Sequence, residues 1–343
     1  MSIVVSRQDS LARENGFPTL QDEINLHIGD SLVAVEGQIQ DVLIEESNEA
    51  IREAVLYAAR GGKRVRAILT LLSARLFALD LTPVVPVAAG AEMIHLATLL
   101  HDDVIDESNL RRHRPTVNAR WGNKVAILAG DSLWAKAIEL LTNHATGEIV
   151  TIMMRMIQQM CAGEIMQLDS PSSSKATEDT YLEQIEKKTA GLFQACCRCG
   201  ALAVKASGEQ VQAMADFGRN IGIAYQLVDD LLDLVGDAKN LGKPVGADLK
   251  AGLLTLPLIY CQRVYGVDPW QDLVTGPVTH QDLAKLADLL REYGAIDYTL
   301  KTIDEYGAKA KAALGQVPDN SSRHLLLAFT DHLLDRPTLP GRN

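Results

Sequence analysis

Helical periodicity is the feature of this sequence that most restricts its fold. Apolar residues recur three and four positions apart over six long stretches: 20–44, 50–79, 84–106, 125–141, 148–168 and 213–234. That spacing places them on one face of an α-helix, and the strict alternation of a half-buried strand is not evident. The pattern predicts an all-α fold with roughly ten or more helices of ordinary length.

The breaks between these stretches look like loops inside one folding unit. Four segments are rich in turn-forming residues: 80–86, 169–179, 236–252 and 265–277. Within the second, Thr177 or Asp179 is the expected N-cap of the next helix. No segment resembles a domain linker, and no fixed-period repeat is visible. We predict one domain over residues 1–343, with a core of about 20–336, built as a single large helical bundle around a central cavity.

Charge and composition narrow the class of protein. The formal net charge is −11, and no basic stripe is present, so a nucleic-acid partner is not expected. Hydrophobic residues make up 47% and charged residues 22%, as in soluble proteins with a large core. The N-terminus shows no apolar leader, and the apolar runs look too short to span a bilayer.

The five cysteines do not form a recognisable metal or disulfide pattern. Cys196, Cys197 and Cys199 lie in an Ala-rich helical stretch without CxxC spacing, so small buried apolar side chains are the favoured interpretation over a metal site. An odd number of cysteines without a disulfide framework is typical of a reducing compartment. We therefore expect a cytoplasmic protein.

A first aspartate cluster follows the apolar helix predicted over 84–106. Asp102 and Asp106 are four residues apart, which is about 400° of helical rotation, so both carboxylates lie on one face and can share a cation. Asp103 lies off that face. Acids at a helix C-terminus meet the unfavourable end of the helix dipole. The cluster therefore indicates a bound cation, with solvated acids as the alternative.

A second cluster repeats the pattern in the stretch 213–234. Asp229 and Asp233 again share a face, with Asp230 beside them, and apolar residues flank the motif. If the two helices face each other, the carboxylates would surround one cavity. Hard carboxylate oxygens suit Mg²⁺, which usually keeps waters and binds substrate phosphates.

Basic residues supply the partners that a metal–diphosphate site needs. Lys63 and Arg66 lie at a Gly-Gly turn before a helix start, whose backbone N–H groups also favour anions. The other candidates are Arg111 and Arg112 after the first cluster, Lys188 beside Thr189, and Lys243. Each one alone is more often a solvated surface charge.

Together these motifs resemble the trans-prenyltransferase (polyprenyl diphosphate synthase) family. The match runs from about residue 20 to about residue 336, and it includes the following motifs in order: GGKRVR, His95 before LLHDDVID, LRRHRPTVN, Gly130-Asp131, GEIMQ, KTA, YQLVDDLLD, GKPVGADL and Thr-Leu-Pro at 255–257. Ala67 stands where the family usually has Pro, and His113 where Gly is common. These departures affect local loop geometry only. The resemblance implies an isoprenoid synthase-like fold.

The resemblance also implies residue roles. Three Mg²⁺ ions, ligated by Asp102, Asp106 and Asp229, are expected to bridge to an allylic diphosphate, with Asp103, Asp230 and Asp233 in support. The same diphosphate is held by Arg111, Lys188 and Lys243. A second substrate, isopentenyl diphosphate, is bound by Lys63, Arg66, His95 and Arg112. Thr189 and Gln226 offer dipoles to an allylic cation.

By the same resemblance, the product grows down a tunnel along the apolar helix. The floor positions lie four and five residues before the cluster and are occupied by Thr98 and Ala97, respectively. Ile94 and Ala91 lie further down. Small residues there favour a medium or long product, roughly hexaprenyl to decaprenyl (C30–C50). Geranylgeranyl diphosphate is the main alternative, and close helix packing is the structural explanation for Ala97.

Other classes remain as alternatives. A terpene cyclase also uses DDxxD and Mg²⁺, but it would leave Lys63, Arg66 and His95 unexplained. A non-catalytic subunit would be expected to have lost aspartates, whereas a catalytic subunit needing a small partner stays possible. A bundle without chemistry would have no reason for six clustered aspartates. We expect a homodimer, with at most peripheral membrane contact during product release.

Overall fold

The described part of the protein is almost entirely helical. The computed structural model describes residues 19–169, 176–236, 245–266, 268, 270 and 279–334. The first eight helices are α1 (Leu20–Ile44), α2 (Glu49–Ala59), α3 (Val65–Arg75), α4 (Val85–Ile105), α5 (Val117–Trp121), α6 (Asn123–His144), α7 (Gly147–Asp169) and α8 (Glu178–Ile185). The others are α9 (Gly191–Ala203), α10 (Gly208–Val235), α11 (Ala247–Lys250), α12 (Leu256–Tyr265), α13 (His280–Glu292), α14 (Ala295–Ala313) and α15 (Ser321–Leu334). The all-α prediction is confirmed.

The apolar period over residues 50–79 is divided between two helices, and the break lies at the Gly-Gly turn that the sequence predicts before a helix start. The chain leaves helical geometry between α2 and α3, where Gly61, Gly62 and Arg64 have φ values of 81°, 107° and 53°. A left-handed backbone cannot continue a right-handed helix, and glycine adopts it without steric cost. The Gly-Gly pair therefore ends α2 and directs the chain into the start of α3.

A small β-hairpin after α4 was not predicted. Leu110–Arg111 pairs antiparallel with Arg114–Pro115, and the turn residues Arg112 and His113 have φ values of 51° and 59°. Two consecutive positive φ values characterise a tight turn that usually carries Asn or Gly. The hairpin is held from outside, because Arg114 stacks on the Tyr57 ring at 4.2 Å and the Tyr57 hydroxyl donates to the Pro115 carbonyl at 2.8 Å.

Helix α4 is the central helix of the bundle and runs antiparallel to α6. Gly90 faces Leu141, and eleven residues later His101 faces Gly130, where a Cβ would lie 2.2 Å from the imidazole Nε2. In the described residues, Thr82–Ile105 is the one helix long and apolar enough to cross a membrane, with a mean hydropathy of 1.5. This corrects the expectation that no apolar run is long enough. Since 67% of its most apolar window is buried inside the bundle, core packing accounts for its composition.

Close contacts between backbones place α9 and α10 beside this centre. Gly200 on α9 lies against the Thr70 carbonyl of α3, and Gly218 on α10 lies against the Phe193 carbonyl of α9. The buried apolar side chains form one core that extends from Ile24 to Leu334. A shared core supports the prediction of a single domain, which stays a prediction.

The three clustered cysteines belong to this packed layer. Cys196, Cys197 and Cys199 are buried on α9 as free thiols, and burial raises the pKa of Cys196 to about 12. Burial likewise raises the thiol pKa of Cys197 and Cys199. A thiol that stays protonated is a poor metal ligand, so the interpretation as small apolar side chains fits their surroundings.

The glycine at the α3–α9 contact gives a stability prediction. We expect Gly200→Ala to lower the free energy of unfolding by about 1–3 kcal/mol, because its Cβ would lie 2.2 Å from the backbone oxygen of Thr70. Gly37→Ala in α1 is the matched control. Nothing lies within 4 Å of its added Cβ, so it should gain up to about 1 kcal/mol. Urea unfolding of both variants measures this, and equal effects would contradict the packing account.

Candidate active site

A large cavity lies against the C-terminal half of α4. Its volume is about 1100 Å³, and its walls come from the start of α3, the hairpin, and helices α4, α6, α7, α9 and α10. Eleven of the predicted site residues line it: Lys63, Arg66, His95, Thr98, Asp102, Arg111, Arg112, Lys188, Thr189, Gln226 and Asp229. The helical bundle therefore brings the acidic and basic motifs to one place, although they are spread over more than 160 residues of sequence.

The three aspartates of the first cluster have different surroundings. Asp102 faces the cavity and is partly buried. Asp103 is buried and accepts a hydrogen bond from Nε of Arg111 at 2.8 Å, so it holds that guanidinium at the cavity wall. Asp106 is the C-cap of α4 and is exposed at the rim. Asp103 therefore supports the site through an arginine, and the other two acids are available at its edge.

Lys188 lies among carboxylates. Its Nζ is 2.6 Å from Oε2 of Glu164 and 2.9 Å from Oε1 of Gln167, both on α7. Burial alone would lower the pKa of Lys188, but Glu164, Asp102 and Asp106 together raise it above its ordinary value. The lysine is thus a fixed cation facing the aspartates. Glu164 and Gln167 belong to the GEIMQ motif, which sequence reasoning noted without assigning them a role.

The acidic wall carries an unfavourable concentration of negative charge. Burial is the main cause that raises the pKa of Asp102 to about 7, and Glu164 and Asp106 raise it further against Lys188 and Arg111. Oε1 of Glu164 is buried and accepts no hydrogen bond. Oxygens in this state are stabilised by a cation.

Lys188 and Thr189 reach the cavity from a π-helical turn. The turn spans Glu186–Ala190 between α8 and α9. Gly163 of α7 packs against it so closely that a Cβ would lie 2.7 Å from the Lys188 backbone nitrogen. Single π-turns inside helices are frequent at functional sites, because the extra residue redirects side chains.

The second aspartate cluster does not face the cavity as a unit, which corrects the expectation that its acids surround one cavity. Asp229 lines the cavity. Asp230 is buried and accepts hydrogen bonds from the Tyr181 hydroxyl at 2.5 Å and from Nε2 of Gln226 at 2.6 Å. Asp233 is 1% exposed and accepts the backbone N–H of Asp248 at 3.0 Å, at the start of α11. Helical spacing predicted the shared face but not these partners.

The opposite part of the cavity is basic. His95 has a pKa well below its ordinary value, because it is buried and lies near Arg66, Arg111 and Arg112, so the imidazole is neutral. Burial, Arg111 and Arg64 lower the pKa of Arg112. Nε of Arg66 is buried without a hydrogen-bond acceptor. This concentration of positive charge suits a polyanion such as a diphosphate. Lys243 lies outside the described residues.

Arg64, which was not predicted as a site residue, secures the basic loop. It takes the left-handed backbone conformation and donates hydrogen bonds to Glu36 of α1 and to the Ala59 carbonyl. Below it, the buried Oε1 of Glu92 accepts the Ala67 N–H at 3.0 Å and so caps the start of α3. Arg64 belongs to the GGKRVR motif, which was the only local indication of a role. The direction of its side chain depends on Glu36, which lies 28 residues away in the sequence.

Of the four predicted tunnel residues, Thr98 alone lines this cavity. Ala91, Ile94 and Ala97 have no exposed surface, and the helical register places Ile94 and Ala97 on the side of α4 that packs on α6. The Thr98 hydroxyl donates to the His95 carbonyl at 2.7 Å. The role of these residues in product length stays a prediction.

The donor set fits a divalent metal that shares its ligands with a substrate. In the described ranges, no three His, Cys, Asp or Glu side chains are grouped closely enough to hold an ion by themselves. The cavity instead presents carboxylate oxygens from separate helices, including the buried free Oε1 of Glu164. Mg²⁺ is usually bound this way, through one or two carboxylates, waters and substrate phosphates.

The raised pKa of Asp102 gives a pH-dependent prediction. Folding raises the pKa of Asp102 from 3.8 to about 7. At a pH above the unfolded pKa, ionising such a carboxyl costs more in the folded state than in the unfolded state, so it lowers the free energy of unfolding. Without metal, Asp102→Asn should therefore raise the free energy of unfolding at pH 8 by about 1–2 kcal/mol, discounted for partial exposure, and by nothing near pH 4. Thermal unfolding at both pH values measures this. A gain of equal size at both pH values, or in the exposed control Asp30→Asn, would contradict it.

Comparison with known proteins places the chain in a family. The family model for polyprenyl synthetases matches residues 48–272. The chain is 35% identical over 303 residues to heptaprenyl diphosphate synthase component 2 of Geobacillus stearothermophilus, and the match covers 87% of this chain and 93% of that protein.

Solved structures show the same fold. A decaprenyl diphosphate synthase from Rhodobacter capsulatus matches with a TM-score of 0.86 and 35% identity, over 92% of this chain and 98% of that one. Polyprenyl synthase from Caulobacter crescentus CB15, complexed with calcium and isoprenyl diphosphate, matches with a TM-score of 0.84 and 34% identity, over 92% and 97%. Mg²⁺ binding and the DDxxD motif are typical of these enzymes. The chain therefore belongs to the polyprenyl synthetase family and is a prenyltransferase of the polyprenyl diphosphate synthase type.

Proposed function

We propose that this enzyme condenses isopentenyl diphosphate with an allylic diphosphate, farnesyl or geranylgeranyl diphosphate. The observation that carries the proposal is the presence of two separate anion-binding regions in one cavity. One contains Asp102, Asp229 and Lys188, and the other contains Arg66 and Arg112. A terpene cyclase handles one diphosphate and would have no use for the second region.

The acidic region is the proposed place of the metal. Asp102, Asp106 and Asp229 would hold Mg²⁺, with three ions expected when the allylic diphosphate is bound. Bound Mg²⁺ supplies Lewis-acid stabilisation of the negative charge on the departing diphosphate. Lys188 and Arg111 both lie close enough to Asp102 to act on its charge, so they would add positive charge beside that leaving group. Lys243 is proposed as a third cation.

The chain's own residues also determine what happens to the second substrate and the cation. Lys63, Arg66 and Arg112, with the neutral His95, would bind the diphosphate of isopentenyl diphosphate and fix its alkene beside the allylic carbon. Thr189 and Gln226 would turn oxygen dipoles toward the electron-poor carbon. The proton lost after condensation would go to the released diphosphate, since the mechanism needs no separate base.

A medium or long product, roughly C30–C50, fits the small Thr98 on the cavity wall. The similar proteins named above as heptaprenyl and decaprenyl synthases support the same range. A geranylgeranyl diphosphate product would require the cavity to block chain growth closer to the aspartates.

Assembly and location are further parts of the proposal. Leu128 on α6 and Met154 on α7 are exposed apolar side chains outside the cavity. We propose a homodimer, which would cover apolar surface of this kind. The name of the Geobacillus protein, component 2, supports a test for a small partner subunit. We propose a cytoplasmic enzyme, with at most peripheral membrane contact.

The direct test of the proposed function is a product assay. Purified protein with Mg²⁺, farnesyl diphosphate and isopentenyl diphosphate should give a ladder that ends at six to ten isoprene units by mass spectrometry. Chelation of the metal, or Asp229→Asn, should abolish it. An end at four units would identify a geranylgeranyl synthase. Failure to consume isopentenyl diphosphate, even with a partner subunit present, would contradict the proposal.

Product length can be tested at the cavity wall. We expect Thr98→Phe to shorten the product, because a ring at this position fills space near the aspartates. Ala97→Tyr should also shorten it, although its burial against α6 makes a loss of stability the accompanying effect. Thr142→Phe, exposed on α6, is the control. An active Thr98→Phe enzyme with the original product length would contradict the assignment of this wall.

A further inference from the structure

Four side chains form an unbroken hydrogen-bond chain from the protein interior to the cavity. The Tyr181 hydroxyl lies 2.5 Å from Oδ2 of Asp230, and Oδ1 of Asp230 lies 2.6 Å from Nε2 of Gln226. Oε1 of Gln226 in turn lies 2.8 Å from the Thr189 hydroxyl. Gln226 and Thr189 line the cavity, whereas Tyr181 and Asp230 are buried behind them. Tyr181 lies 49 residues from Asp230 in the sequence.

The direction of these hydrogen bonds follows from Asp230, because each of its two carboxyl oxygens lies opposite a donor. A carboxylate only accepts hydrogen bonds, so both the Tyr181 hydroxyl and the Gln226 amide must donate to Asp230. The Gln226 amide oxygen then points to Thr189 and must accept the hydroxyl proton. The Thr189 hydroxyl has a single proton, which is used in this bond, so its remaining lone pair is an acceptor.

We propose that Tyr181 is a positioning residue that acts through Asp230 to fix this donor direction, so that the Gln226 amide oxygen and the Thr189 hydroxyl oxygen keep lone pairs for an electron-poor carbon in the cavity. The inference rests on the proposed function, which supplies an allylic cation beside these side chains. It deepens that proposal, because it explains how the Thr189 hydroxyl, which can donate or accept, is held as an acceptor, and how the Gln226 amide is held with its oxygen toward Thr189.

Two features make Tyr181 suited to this role. Burial, with the nearby Asp230 charge, raises its pKa well above the ordinary value, so the phenol remains a proton donor throughout the neutral range. Its place on α8, directly before the π-helical turn that carries Thr189, links the two ends of the network through the backbone. Tyr181 does not line the cavity, so it acts on the reaction only through the carboxylate.

The test compares two tyrosines that each donate to a carboxylate. Tyr181→Phe should lower the single-turnover rate of the first condensation by about 10- to 100-fold, the usual scale for losing an outer partner of an active-site group. The KM values of both diphosphates should stay within about threefold, since no substrate contact is removed. Tyr298→Phe is the control, because its hydroxyl donates to Glu178 at 2.7 Å outside the cavity. It should leave the rate unchanged.

A double-mutant cycle separates positioning from a structural role. Asn at position 230 can donate as well as accept, so Asp230→Asn should lower the same rate, and the double variant should lose no more than the worse single variant. The inference would be overturned by a wild-type single-turnover rate in folded Tyr181→Phe, or by an equal loss of rate in Tyr181→Phe and Tyr298→Phe. It would also be overturned if the rate losses of Tyr181→Phe and Asp230→Asn add in the double variant. If Tyr181→Phe does not fold, a wild-type rate in Asp230→Asn overturns it alone. An inactive wild-type enzyme would instead refute the proposed function.

Discussion

The structure depends on holding charged side chains close together in two parts of one large cavity. At one end Asp102 lies near Glu164 and Asp106, and at the other His95 lies near Arg66 and Arg112. Without ligands this arrangement costs free energy, as the raised pKa of Asp102 shows. A metal–diphosphate pair at one end and a second diphosphate at the other would remove that cost. The charges that destabilise the site without ligands are therefore the same charges that would bind the ligands, so site and ligands are complementary in charge.

The rest of the fold supplies the supports that such a cavity needs. Three polar groups at the wall are held from behind: Arg111 by Asp103, Lys188 by Glu164, and Gln226 by Asp230. Close backbone contacts at glycines, such as Gly163 against the π-helical turn, hold the helices that carry these groups at fixed distances. A rigid packed frame keeps like charges from moving apart, which a flexible surface loop could not do.

Much of this was predictable from the sequence because the signals are local. The 3.6-residue period predicted the helices, and the bounds of α1 were predicted to the residue. The DDxxD spacing identified Asp102 and Asp229. What the sequence could not supply was the partner of each side chain. Helical geometry placed Asp229 and Asp233 on one face, yet contact with the start of α11 turns Asp233 into a structural anchor.

The same limit explains the residues that were missed. Tyr181 and Arg64 act through partners 49 and 28 residues away, so no local pattern identified them. The helical break at Gly61 and Gly62, in contrast, was predicted as a turn before a helix start, because a Gly-Gly pair is a local signal. Ala91, Ile94 and Ala97 were interpreted as lining a product tunnel, and the structure shows them packed in the core.

We expect the acidic region to bind metal tightly only when diphosphate is bound with it. Titration calorimetry of Mn²⁺ with and without inorganic diphosphate tests it most directly. Metal should bind weakly to the protein alone. With diphosphate present, the Kd of the metal should fall at least about tenfold, which is a coupling free energy of about 1.4 kcal/mol. Metal that binds equally tightly without diphosphate would contradict the account.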